Sequence, residues 1–84
     1  MELKDILEIL VKGIVQTEDQ VKIVQKEGPV LHGKETIHFN IKVNPEEFSL
    51  LVGKGGSTIK SLRIIMSKLA GKLKKMAYVD LDES

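Results

Sequence analysis

Cysteine and tryptophan are absent from the 84-residue chain, and aromatic residues make up only 4% of it. Without cysteine there is no disulfide, no thiolate zinc site and no cysteine nucleophile, so a small domain must rely on packing or on a partner. No hydrophobic run approaches the length of a membrane span, and the charged start Met1 to Asp5 does not fit the apolar core of a signal peptide. These absences predict one cytoplasmic domain over residues 1–84, with its core at about 3–82.

The charges are unevenly distributed, although the net charge is only +1. The segment from Gly53 to Lys75 holds seven basic residues and no acidic one, whereas the remainder holds six basic and twelve acidic residues. Such an asymmetry indicates an anionic partner for the basic segment. A solvated helix face is the alternative that the charge pattern alone leaves open.

Hydrophobic periodicity predicts a helix and two strands in the first half of the chain. Apolar residues from Leu3 to Ile14 recur at helical spacing, and the polar side lacks the features of a membrane-surface helix, so packing onto a sheet is predicted. Strands are predicted from Gln20 to Lys26 and, with strict alternation, from Thr36 to Val43, where Thr36 falls on the solvent side. Gly28, Pro29 and Gly33 between them predict a hairpin with a long, adaptable loop.

The second half predicts two helices and a strand. Asn44 and Pro45 favour the start of a short helix that Gly53 ends. Ser57 or Thr58 is predicted to cap the next helix, and Gly71 to end it. The predicted inner residues of that helix are Ile59, Leu62, Met66 and Leu69, with Ile65 nearby. A third strand is predicted over residues 77–81, before a last few residues expected to be loose.

This order of elements predicts an α+β domain in which three helices cover one face of a three-stranded sheet. The turn Gly53-Lys54-Gly55-Gly56 lies between the last two helices. Its three glycines allow positive φ angles and close approach of a sugar-phosphate backbone. The free N–H groups at the start of the next helix, together with Lys60 and Arg63 along it, add donors and positive charge.

The segment Val52-Gly53-Lys54-Gly55-Gly56-Ser57-Thr58-Ile59 resembles the signature of KH domains: an aliphatic residue, Gly-x-x-Gly, and an isoleucine three positions later. The predicted element order is similar to the type II KH arrangement, αββααβ, over nearly the whole chain. The resemblance implies a protein that clamps the backbone of single-stranded RNA in the glycine loop and turns the bases into a shallow apolar groove.

Carried over to this sequence, the resemblance implies a role for each residue of the motif. Gly53, Lys54, Gly55 and Gly56 would form the clamp, with Ser57 at the start of the helix behind it. Val52 and Ile59 would line the groove, and Lys60 and Arg63 would flank the phosphates. The resemblance also implies a homodimer, or a heterodimer with a larger KH-containing protein. Ile9 and Ile64 are the candidate contacts if they face solvent.

Other classes of function fit the residues less well. A nucleotide-binding P-loop requires four residues between its glycines and a lysine directly before Ser or Thr, which this turn lacks. His32 and His38 are the only imidazoles, and Glu46 and Glu47 are read as helix-start acids. We therefore predict a non-enzyme without metal, cofactor or small-molecule substrate. The alternative is a KH-like module for protein docking or dimerisation with little RNA binding.

Overall fold

The computed structural model describes residues 1–82. Three helices and three strands make up its regular structure: α1 (Leu3–Ile14), β1 (Lys22–Glu27), β2 (Glu35–Lys42), α2 (Phe48–Val52), α3 (Ser57–Lys72) and β3 (Lys75–Leu81). Short 3₁₀ turns precede β1, α2 and α3. The loose end predicted for the chain falls partly on residues 83–84, which lie outside the described residues.

The sheet has the order β1-β2-β3, with β1 antiparallel and β3 parallel to the central strand β2. Alternate residues of β2 point towards the helices, and Ile37, Phe39 and Ile41 are almost fully buried there. Leu7 and Val11 of α1 meet this layer. The other helices add Leu51, Ile59, Leu62 and Met66 to the same core. The predicted α+β architecture, with helices on one face of a three-stranded sheet, is confirmed.

The first strand begins later than predicted. Residues Glu18–Gln20 form a 3₁₀ turn that the N–H of Val21 closes by donating to the Glu18 carbonyl at 3.1 Å. Pairing with β2 therefore starts at Lys22, opposite Lys42.

The hairpin loop closes on a tight turn. Leu31 and Lys34 exchange two backbone hydrogen bonds of 2.9 Å around His32 and Gly33, whose φ angles are 53° and 76°. Two positive φ angles in succession are typical of a tight two-residue hairpin turn. The prediction of a solvent-facing Thr36 is also wrong, because its hydroxyl donates to the Pro29 carbonyl at 2.7 Å and the residue is buried.

The start of α3 at Ser57 is as predicted, but its predicted cap and its predicted C-terminal end are wrong. The helix begins at Ser57 directly after Gly56 in the left-handed conformation, and neither Ser57 nor Thr58 acts as a side-chain cap. At the other end Gly71 is still helical, and Lys74 takes the positive φ of 59° that reverses the chain. Since Lys74 rather than a glycine occupies that position, the sequence offered no terminator signal there.

The inner side of α3 largely follows the prediction. Ile59, Leu62 and Met66 are buried as predicted, Leu69 is half-buried against the core, and Ala70 completes the row. Ile65, predicted to lie nearby, is 40% exposed. The row Ile59, Leu62, Met66 and Ala70 follows the 3-4 spacing of one helix face, from which Ile65 is displaced.

Candidate nucleic-acid interface

Gly53 fixes how the chain passes from α2 into the glycine turn. Its N–H donates to the Ser49 carbonyl at 2.9 Å, and its φ and ψ angles are 76° and 171°. A Cβ atom on Gly53 would lie 2.7 Å from the backbone nitrogen of Thr58 and closer still to the Thr58 side chain. Only glycine allows the loop and the start of α3 to pack this closely.

The other two glycines form the open side of the turn. Gly55 and Gly56 have φ angles of 62° and 78°, and a Cβ atom at either position would meet nothing within 4 Å. The N–H of Gly56 donates to the Gly53 carbonyl at 3.1 Å and closes the turn. The predicted positive φ angles are confirmed, and another backbone can approach this side without meeting a side chain.

Positive charge and the N-terminus of α3 lie beside the open side of the turn. Lys54 within the turn, Ser57 and Lys60 are exposed. The N-cap position of α3 is Gly56, which brings no side-chain hydrogen bond to the first turn of the helix. The N–H of Ser57 donates to the Lys54 carbonyl. The later amide groups of that first turn and the positive end of the helix dipole face the same region as the two lysines.

Arg63 takes a different position from the one implied by its spacing. Its Nε donates to the Val79 carbonyl at 2.9 Å, and its Nη2 lies 3.6 Å from the Asp80 carboxylate. The side chain is thus anchored to β3, the edge strand, while half of its surface stays exposed. It supports one wall of a hollow of about 330 Å³ between α3 and the sheet edge.

The two apolar residues of the motif differ in accessibility. Val52 is half-buried beside the turn, and Ile59 retains only 7% of its surface within the core. Val52 is thus available to a ligand beside the clamp. Ile59 packs in the core and holds the first turn of α3 against it.

The basic segment largely lacks internal partners. Arg63 pairs with Asp80 and Lys75 with Glu35. Within residues 1–82, the other five cations of the segment, Lys54, Lys60, Lys68, Lys72 and Lys74, form no ion pair. Their charge is available to an external anion.

Glu47 performs a task that the sequence did not reveal. Its buried carboxylate accepts hydrogen bonds from the Thr17 hydroxyl and from the backbone N–H groups of Gln16 and Thr17. These bonds, the one from the Thr17 hydroxyl foremost, hold the pKa of the Glu47 carboxyl below its usual value. Glu47 is therefore a brace between the end of α1 and the start of α2, and its interpretation as only a helix-start acid was incomplete.

The two histidines are both at the surface, His32 in the hairpin turn and His38 on the outer side of β2. The imidazole of His38 stacks on the ring of Tyr78, with centroids 5.0 Å apart and an interplanar angle of 18°. Strand alternation places both residues on the outer side, but their pairing depends on the parallel register of β2 and β3, which the sequence alone did not provide. Across residues 1–82 no cluster of acidic and histidine side chains has the arrangement of a metal site.

Comparison with known proteins agrees with this geometry. The family model for the KH domain of KhpA/KhpB matches residues 4–81. The chain belongs to this family. Its element order is the type II KH arrangement, αββααβ, as the sequence predicted.

Several relatives have the KhpA name. The chain is 30% identical to the RNA-binding protein KhpA of Aquifex aeolicus, over 96% of this chain and 96% of the relative. It is 35% identical to the RNA-binding protein KhpA of Thermotoga maritima, over 88% and 92% of the two chains. It is 30% identical to that of Streptomyces coelicolor, over 95% of both. The KhpA relatives thus match this chain over nearly its whole length.

Proposed function

We propose that this protein binds single-stranded RNA, with the turn Gly53 to Gly56 as the clamp. The observation that supports the proposal best is the open, left-handed pair Gly55 and Gly56 beside the uncapped start of α3. Four nucleotides of backbone is the usual length held by a KH loop. In this chain the exposed Lys54 and Lys60 would contact the phosphates, and Ser57 would stand at the entrance to the helix.

The groove beside the clamp would receive the bases. Val52 would form its apolar side near the turn, Ile59 would support it from the core, and Arg63 would form its wall at the edge of β3. The Nε of Arg63 is occupied by the Val79 carbonyl, but the exposed part of the guanidinium remains available to a phosphate or a base edge. The proposed role is therefore binding without catalysis, as a chaperone or regulator of RNA.

The location and the partners belong to the same proposal. No helix among the described residues has the length and apolarity needed to cross a membrane, and we propose that the protein acts in the cytoplasm. Ile9 and Ile64 are both more than half exposed, which favours a homodimer or a heterodimer with a larger KH-containing protein. Two linked clamps would gain avidity on a longer strand.

Replacement of Lys54 and Gly55, both by Asp, tests the clamp. Asp tolerates the left-handed conformation of Gly55 better than most residues, so the fold should survive. Its carboxylates would repel phosphate, and we expect binding of a labelled RNA of about eight nucleotides, roughly twice the clamped length, to be abolished. Fluorescence anisotropy measures the binding and circular dichroism checks the fold.

The matched control replaces the same two residues by Asn, which has nearly the shape of Asp without its charge. The Asn variant should retain part of the affinity, because only the Lys54 charge and the flexibility of Gly55 are lost. If the Asp variant bound RNA as well as the parent with an unchanged spectrum, the clamp assignment would be wrong.

A further inference from the structure

The outer face of the sheet has no helix over it. Strand alternation and the register place one side chain in two on this face. The outward residues are Lys22, Val24 and Lys26 of β1, Thr36, His38, Asn40 and Lys42 of β2, and Met76, Tyr78 and Asp80 of β3. Apart from Thr36 and Met76, all of them are exposed. The open face is therefore a surface of its own, distinct from the clamp.

One row of this face crosses all three strands. Lys26 is the register partner of His38, and His38 is the register partner of Tyr78. Neighbouring strands are about 4.8 Å apart, so the row spans about 10 Å. We name Lys26, His38 and Tyr78 the outer row.

Tyr78, the aromatic residue of the outer row, is not a core residue. Phe39 is in the core and Phe48 is half-buried, whereas Tyr78 keeps 38% of its surface exposed. One face of its ring rests on the His38 imidazole. The ring also lines two hollows along the edge of β3, so part of it remains open towards that edge. An exposed, pre-stacked ring is a suitable platform for a nucleobase.

The charges of the open face favour an anion. Lys22 and Lys42 lie directly opposite each other on β1 and β2, an arrangement of like charges that destabilises a sheet. Within the described residues neither these lysines nor Lys26 belongs to an ion pair. The acidic Asp80 of this face is already paired with Arg63.

The open face is continuous with the proposed clamp side. The hollow walled by Arg63 and Ser67 of α3 is also lined by His38 and Tyr78. A strand that leaves the clamp along α3 would therefore meet the Tyr78 ring at the sheet edge. A protein partner is less favoured on this face, because its large aliphatic side chains among the described residues are Val24 and the half-buried Met76, and three lysines surround Val24.

We propose that the outer row is a second contact surface for single-stranded RNA, which takes nucleotides beyond those held by the clamp. A base stacks on the Tyr78–His38 pair, and the following phosphates meet Lys26. This inference rests on the proposed function of the glycine turn. It predicts that an RNA longer than the clamped nucleotides binds more tightly than a short one, because the outer row makes additional contacts.

Tyrosine fluorescence gives a direct test, because the chain has one tyrosine and no tryptophan. An RNA of about twelve nucleotides, long enough to pass beyond the four of the clamp, should quench the Tyr78 emission by stacking. An RNA of about four nucleotides should bind with little quenching. Equal quenching by both lengths, or none by either, would overturn the proposal.

Affinities of variants give the second test. Tyr78→Leu keeps an apolar residue in the strand but removes the ring, and should weaken binding of the long RNA about five- to tenfold without affecting the short one. Tyr78→Phe keeps the ring and should bind as the parent does. If Tyr78→Leu lost nothing, or lost equally on both lengths, the residue would have no separate RNA contact and the outer row would be refuted.

Lys26→Gln tests the phosphate contact, with Lys12→Gln on α1 as a control of equal charge change. For the long RNA, the dependence of log affinity on log salt should become shallower by about 0.7 in Lys26→Gln and stay unchanged in Lys12→Gln. Equal slopes in the two variants would contradict the contact. The variant with Asp at both Lys54 and Gly55 separates the two proposals. If it bound the short RNA as tightly as the parent, the clamp would be contradicted, whereas the outer row is tested by the Tyr78 and Lys26 variants.

Discussion

Gly53 combines two constraints that are independent of each other. Its φ of 76° and ψ of 171° fall in a backbone region that essentially only glycine adopts. The space beside it is taken by Thr58, whose backbone nitrogen leaves no room for a Cβ atom. Gly55 and Gly56 meet the first constraint but not the second, because open space surrounds them. The first glycine is therefore structural, while the later two leave the surface open to a ligand.

Gly53→Ala should destabilise the protein by about 1–3 kcal/mol from backbone strain alone, with the contact to Thr58 adding to the loss. Gly71→Ala is the matched control. Gly71 lies inside α3 with open space around it, so this change should stabilise the helix by up to about 1 kcal/mol. Urea unfolding measures both. A stable Gly53→Ala would mean that the turn adopts another backbone conformation, and a destabilised Gly71→Ala would mean that the helix ends before residue 71.

At the scale of elements, Glu47 connects the end of α1 with the start of α2. Its carboxylate receives the N–H groups of Gln16 and Thr17, which follow the end of α1. Those donors have no helix partner, so the carboxylate satisfies groups that would otherwise depend on water. The brace holds the end of α1 beside the 3₁₀ turn that leads into α2.

The Glu47 brace should make stability depend on acid pH. The pKa of the carboxyl is lowered in the folded state, so its contribution is present above the unfolded value of about 4.3 and is lost as pH falls through the folded value. Glu47→Gln should be less stable than the parent near pH 7, and the difference should shrink towards about pH 3. Glu46→Gln, an exposed neighbour with the same charge change, should differ little from the parent at either pH. A difference between Glu47→Gln and the parent that did not vary with pH would contradict the ionised brace.

Local patterns predicted the elements better than their ends. The alternation Ile37, Phe39, Ile41 identified β2 because one face of that strand is fully buried. The N-cap and the C-terminal end of α3 were missed because backbone conformation, not a side-chain cap, decides them: Gly56 precedes the helix and Lys74 reverses the chain after it. Long-range partners were missed for a similar reason, since neither the Glu47 brace nor the Tyr78–His38 stack involves residues close in sequence.

The sequence predicted the backbone conformation of the glycine turn, but not which side chains near it are free. Three glycines within four residues indicated positive φ angles, and Gly53, Gly55 and Gly56 have them. The spacing of Arg63 suggested a free cation along α3, whereas the edge of β3 holds its Nε. The carbonyls of an edge strand need partners, and no local pattern in α3 shows that an arginine supplies one.

At the scale of the whole molecule, the uneven charge distribution should appear in the salt dependence of binding. A short RNA that fills only the clamp would make about three or four phosphate contacts, which gives a slope of log affinity against log salt of roughly −2 to −3. Under the proposed function, the free lysines of the basic segment would supply those contacts. Titrations of a labelled short RNA at several salt concentrations measure the slope. A value near zero would contradict phosphate clamping and favour protein docking.

A slope about twice as steep on a long RNA, together with a doubled mass in sedimentation velocity, would indicate that two copies engage one strand.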